Sequence, residues 1–101
     1  MKHKLRKLAK GQNCMVRIPG ICNRNPETVV LAHLNGAGWS LKQPDLLGAW
    51  CCSDCHDAVD GRSKKYLEHG HDYWEVTIWF YEGVFRTQKQ LIEMGEVKYE
   101  V

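Results

Sequence analysis

The sequence predicts a single small α+β domain, and three observations predict it. Residues 28–34 form a β-branched, apolar run that reads as a strand. Residues 72–94 begin with a capping pattern and continue with apolar residues at helical spacing, which reads as a long helix. Two cysteine pairs flank the strand, and the second, Cys52-x-x-Cys55, has His56 directly behind it. Two thiolates on one short turn suit a tetrahedral Zn²⁺ site, and Cys14 and Cys22 can supply its other two ligands. The order along the chain is Cys, Cys, His33, then Cys, Cys, His56. The rest of the sequence reads as the means of bringing those six residues together.

At 101 residues the chain has room for one domain and not two. A core this small gains from a metal staple. Net charge is only +2 but unevenly spread: five of the first ten residues are Lys or Arg, with no acid among them. Such a basic head can meet phosphate, or it can be a solvated helical arm. No apolar stretch is long enough for a signal peptide or a membrane span, so a cytoplasmic protein without a membrane partner is expected. In that compartment cysteine clusters more often hold metal than form disulfides. Five cysteines then fit four ligands and one bystander, Cys51, because the x-x spacing selects Cys52.

In chain order, residues 2–10 are expected as a short basic helix ended by Gly11. Met15-Val16-Arg17-Ile18 alternates like a strand, and Pro19-Gly20 would turn Cys22 back towards Cys14 as a hairpin. Residues 23–27 are polar and contain Pro26, hence loop. The strand at 28–34 follows, with His33 near its end. Residues 35–38 are a flexible break, and 39–41 are expected as a short return strand. Residues 44–47 suggest a loop or the first turn of a short helix. Residues 53–60 should be helical, closed by Gly61; 64–71 carry no clear pattern. The final helix stops at Gly95. It shows two apolar rows, one through Val76, Phe80, Val84 and Leu91 with Tyr73, the other through Trp74, Ile78, Tyr81, Phe85 and Ile92. So wide an apolar face is mostly core, with a homodimer through this helix as a place for the surplus. Residues 97–101 are expected as a last strand.

The residue types suggest two kinds of site. Cys14, Cys22, Cys52 and Cys55 read as structural zinc ligands; the alternative is free core thiols. Successive helical residues lie about 100° apart, so Cys55 and His56 cannot easily serve one centre. His56 shares a face with Asp60, one turn on. That pair could hold a second, divalent metal with positions left for water and phosphate; the alternative is a surface or supporting histidine. His33, at the end of a strand tied to the 53–60 helix, could take a proton from water as general base, or be a satisfied core residue. Asp45 could ligate the metal, orient His33 or cap a turn. Arg17, Arg62, Lys64 and Lys65 could contact phosphates or remain solvated surface.

Taken together, Cys…Cys…His…Asp…Cys-x-x-Cys-His resembles the zinc-bearing HNH, or ββα-metal, endonucleases. That resemblance implies that His33 is the general base and that His56 binds the catalytic metal. More narrowly, the stretch from Cys14 to Cys22, Asn25-Pro26-Glu27-Thr28, Leu31-Ala32-His33 and Cys52-Ser53-Asp54-Cys55-His56-Asp57 is similar to a family of small lambdoid-prophage nuclease proteins. Three features depart from the HNH pattern: Ala32 precedes the base where many members have an acid or histidine, the middle Asn is missing, with Asp45 nearest, and the first cysteine pair, Cys14 and Cys22, is widely spaced. The expectation is a zinc-stapled ββα-metal core, treble-clef-like, with a basic N-terminal helix and a long C-terminal helix. The implied activity is DNA cleavage with structural Zn²⁺ and a catalytic cation such as Mg²⁺ or Mn²⁺. The rival expectation is a non-catalytic zinc module that binds nucleic acid or protein and has no use for His33.

Overall fold

Two three-residue strands pair at the centre of the fold, and everything else is laid against them. In the computed structural model, residues 4–34 and 44–98 are described. β1 (Val30–Ala32) runs antiparallel to β2 (Ala49–Cys51), with Leu31 opposite Trp50. α1 (Lys4–Ala9) packs on β1; α2 (Ser53–Val59) leaves directly from the end of β2; α3 (Tyr73–Glu93) lies across β2. Single 3₁₀ turns sit at Pro26–Thr28, Asp45–Leu47 and Lys65–His69. The described residues thus form a small α+β fold with a two-stranded sheet and three helices. None of the helices is long and apolar enough to cross a membrane.

The sheet is held by what borders it. All of β2 is buried. On the side of Trp50 away from β1, its N–H donates to Thr87 Oγ1 (3.0 Å) and its carbonyl accepts from Met15 N (2.8 Å). Thr87 Oγ1 in turn donates to Gly83 O one turn back (2.7 Å). No strand edge is left open there, which a two-stranded ribbon needs. Arg86 Nη1 donates to Met15 O (2.7 Å), so the segment after Cys14 is clamped between β2 and α3. Gly83 permits that approach: a Cβ there would sit 2.8 Å from Val16 Cγ2. Around this clamp Trp50, Phe80, Ile18, Val16, Val59, Val76 and Leu91 are fully buried. Thr87→Val keeps the shape and strands the Trp50 N–H in the core. It is expected to cost about 1–3 kcal/mol, read as a lower urea midpoint at unchanged slope.

Several elements differ from the sequence expectation. Met15–Ile18 is a bend and not a strand. Cys14, Met15 and Val16 are buried in succession, and Arg17 stands at φ +56°, a left-handed conformation no strand tolerates. The turn at Pro19-Gly20 does form, with Cys22 N bonded to Ile18 O (2.9 Å). The strand at 28–34 shrinks to Val30–Ala32, because Asn25 Oδ1 accepts from Glu27 N (3.1 Å) and starts the 3₁₀ turn at Pro26. The expected return strand at 39–41 lies outside the described residues. The strand that pairs with β1 is β2, at a stretch not assigned to one. Residues 97 and 98 are not strand; 99–101 lie outside the described residues.

Both longer helices begin as their caps dictate. Asp72 Oδ1 accepts from Glu75 N (2.9 Å) while Glu75 Oε1 accepts from Asp72 N (3.1 Å). At α2 the cap is Cys52 itself, whose Sγ accepts from Cys55 N at 3.4 Å. Along α3 the row through Val76, Phe80, Val84 and Leu91 is buried. Tyr73 is partly exposed and donates from its hydroxyl to Val59 O (2.6 Å), tying α3 to the end of α2. The second row is exposed at all five positions.

Candidate functional site

The four spaced cysteines meet. Cys14 and Cys22 bracket the clamped bend; Cys52 caps α2 and Cys55 sits in its first turn. One ligand atom from each lies within 4.8 Å of the others, and Cys22 Sγ is 3.9 Å from Cys52 Sγ. Cys51 lies outside this set, as a buried thiol on β2. Hydrogen bonds from Cys51, Cys52 and Cys55 hold the Cys14 thiol far below the usual range. Burial pushes Cys22 up to about 11. Cys55 is held above the usual range, chiefly by sharing hydrogen bonds with Cys14. Sulfurs packed this tightly support one negative charge by mutual hydrogen bonding and resist more.

A polar clasp that sequence reading missed aligns the two halves of the cluster. Asn23 Nδ2 donates to Ser53 Oγ (3.1 Å) and Asp54 Oδ2 (3.0 Å), and Ser53 N donates to Thr28 Oγ1 (3.2 Å). Nothing in Asn23 or Thr28 marks them in a single sequence; their partners lie at least 25 positions away. Beside the cluster a cavity of about 380 Å³ is lined by Asn13, Arg17, Pro19 and Arg24 among others. Arg17 is partly spent on structure, donating from Nε to Cys14 O (3.1 Å).

The histidines of interest form two separate pairs. His33 stands one residue past β1, and because Ala32 pairs with Ala49, it emerges at the end of the sheet opposite Cys52. Its Nε2 is buried and 3.3 Å from Asp45 Oδ1, close enough for an ion pair though not aligned as a hydrogen bond. Arg6 Nε, from α1, approaches the same oxygen at 3.2 Å. His56 Nε2 is 3.2 Å from Asp60 Oδ2 on the next turn of the α2 end. Arg62 Nη2 also reaches Asp60 Oδ2 (2.9 Å) and Asp57 Oδ1 (3.3 Å). Lys64 and Lys65 are exposed nearby. Among the described residues only the four cysteines form a ligand group of three or more, so the two His–Asp pairs do not merge into one compact set. Arg6 and Arg24 were not singled out by sequence; a basic helix marks the first only as part of a charge run.

Comparison with known proteins gives a consistent set of matches. Residues 3–96 match a family described as "Putative nuclease YbcO". A relative of that name from Escherichia coli (strain K12) is 45% identical over 97 residues, covering 93% of this chain and 96% of the relative. One from Enterobacteria phage 82 matches to the same extent. A solved structure described as "Structure of a putative bacteriophage protein from Escherichia coli str. K-12 substr. MG1655" superposes with a TM-score of 0.75 at 42% identity. It covers 91% of this chain and all of that one.

Proposed function

Since this chain belongs to the family described as "Putative nuclease YbcO", we propose that it is a metal-dependent DNA endonuclease of the HNH type, acting in the cytoplasm. The observation that carries the reading is the pair of His–Asp couples, His33–Asp45 just past the end of β1 and His56–Asp60 on the helix whose start carries two of the clustered cysteines. The cysteines fit zinc. A tetrahedral ion with Zn–S bonds of about 2.3 Å sets its sulfurs about 3.8 Å apart, against 3.9 Å between Cys22 and Cys52. Four thiolates would hold the ion, and its charge would offset a repulsion the thiols alone cannot sustain.

At the reacting centre, Asp45 lies against the Nε2 edge of His33 and would orient the ring, with Nδ1 as the nitrogen that accepts a proton. His33 takes that proton from water as the water oxygen attacks phosphorus in line. The bond between phosphorus and the 3′ oxygen breaks, and the leaving oxygen takes a proton from solvent water, giving a 5′ phosphate and a 3′ hydroxyl. His56 and Asp60 present a nitrogen and an oxygen on one face, suited to a cation such as Mg²⁺ or Mn²⁺, which when bound supplies charge stabilisation to the phosphoryl oxygens and leaving group. Arg62, Lys64 and Lys65 follow on the same stretch of chain as phosphate contacts, with Arg17 near the cluster cavity.

The test is nicking of supercoiled DNA by the zinc-loaded protein with Mg²⁺ or Mn²⁺. His56→Ala is expected to lower the rate at least about 100-fold with zinc content and melting unchanged. A wild-type protein inert over a range of metals and DNA structures sinks the proposal. One observation favours a second reading, a non-catalytic zinc module that binds nucleic acid or protein: Asp60 is already satisfied by His56 and Arg62 together, a network that needs no cation. Tight DNA binding without cleavage would select it.

A further inference from the structure

The second apolar row of α3 is wholly on the surface, and its spacing is not that of an ordinary outer face. Trp74, Ile78, Tyr81, Phe85 and Ile92 step by four, three, four and seven residues, with Gln88 filling the gap. That is the alternation of a coiled-coil seam. Trp74 is 74% exposed, Phe85 69% and Tyr81 50%. At about 150–250 Å² per aromatic side chain, these three leave about 300–500 Å² of mostly apolar surface in water. A single monomer's largest patch is about 300–600 Å². Here the seam continues sideways into an apolar groove of about 320 Å³ floored by Phe80 and Val84 and walled by Leu34 and Leu47. With Ile78, Ile92 and Leu47 added, the surface approaches the roughly 800 Å² per partner of a stable dimer.

We propose that this face binds a second copy of the chain, with the two α3 helices antiparallel about a two-fold axis near Gly83. The charges beside the seam point to that arrangement. Glu75, Glu82 and Lys89 recur every seven residues along one flank, acidic towards the start of the helix and basic towards its end. Antiparallel pairing sets Glu75 of one copy against the partner's Lys89, twice by symmetry, against a single like-charge approach of Glu82 to its own counterpart at the axis, where Arg86 lies beside it in each copy. The same antiparallel register brings Tyr81 against the partner's Phe85 and Trp74 against the partner's Ile92, so each large ring meets an apolar partner. Helix dipoles also favour it.

Sedimentation equilibrium of the zinc-loaded full chain at micromolar concentrations tests this. The wild type is expected at twice the 11.7 kDa chain mass. Phe85→Glu is expected to weaken association at least about 100-fold while leaving helicity and zinc content intact, because the ring contributes little to the monomer core. Should that variant fail to fold, Trp74→Ser serves in its place. Lys89→Glu faces the partner's Glu75 with a like charge, so it should weaken the dimer at low salt and much less at high salt. A monomeric wild type, association only when duplex DNA is added, or a dimer indifferent to both ring variants overturns the proposal. A Lys89→Glu protein that dimerises as well as or better than the wild type overturns the antiparallel register.

Discussion

With zinc in the cysteine cluster as proposed, stripping it is expected to abolish the cooperative melting transition. The sheet has only six residues and α2 only seven, and the bend that carries Cys14 and Cys22 is held on β2 and α3 by one backbone bond, the Arg86 contact and a few buried side chains. A structural zinc contributes about 10–16 kcal/mol of apparent binding free energy at neutral pH, and a domain's whole stability is about 5–15 kcal/mol. Chelation, or Cys55→Ala, should therefore flatten the near-ultraviolet signal and the melt together. Cys51→Ala is the control. It removes a buried thiol outside the ligand group and should cost about 1 kcal/mol with one zinc per chain retained. Metal uptake should also release protons. Burial holds Cys22 up to about 11, so its thiol is protonated at pH 7 and must lose that proton to bind. Zinc affinity accordingly climbs as pH rises and falls as pH drops, which calorimetry in buffers of different ionisation enthalpy measures directly. A melting curve indifferent to chelator would leave the cluster as four core thiols.

The parts of this molecule that were legible beforehand are those whose constraints are local. A metal ligand set demands residue type and short spacing, and Cys52-x-x-Cys55 meets both within one turn of α2. The start of α3 is set by two side chains three residues apart, Asp72 and Glu75, and their bonds form as the pattern requires. β2 was illegible for the opposite reason. Ala49, Trp50 and Cys51 are buried on both faces, so no alternation announces a strand, and their partners at 30–32 lie across a long connection. Met15–Ile18 misled in the other direction. Arg17 does point out between buried Val16 and Ile18, but Met15 is buried beside Val16, and the backbone turns at Arg17 and forms no strand. Helical periodicity likewise marked two apolar rows on α3 without saying which one the core would take. The row facing β2 is buried because Thr87 and Gly83, on the same side, reach Trp50 and Val16. The His33–Asp45 approach depends on Asp45 being carried back to the end of β1, and Arg6 joining them depends on α1 packing there; neither is written in spacing.

Replacing His33 by Ala should stop DNA nicking while leaving the protein folded. A positioned general base contributes about 10²–10⁴ in rate, and the ring stands past the end of β1, outside the apolar core, with its side chain 18% exposed. Zinc content and melting temperature should stay at wild-type values. In the proposed mechanism Asp45 acts on His33 and not on water, so Asp45→Asn should cost less. Loss of one charge-assisted contact of about 1.5 kcal/mol corresponds to about tenfold in rate. The amide keeps the shape of the side chain beside Nε2 but carries no charge to hold that edge of the ring. Arg6→Ala removes the competing cation from the same carboxylate oxygen and should leave the His33–Asp45 couple intact. A purely structural His33 would give a different pattern: a variant lacking the ring would melt early and nothing added to solution would restore cleavage. Chemistry at the ring predicts that free imidazole partly restores nicking by His33→Gly, because the small molecule can occupy the space beside Asp45 and accept the proton in its place. Full activity in His33→Ala would remove the base from the mechanism and leave Asp45 as the structural partner of Arg6.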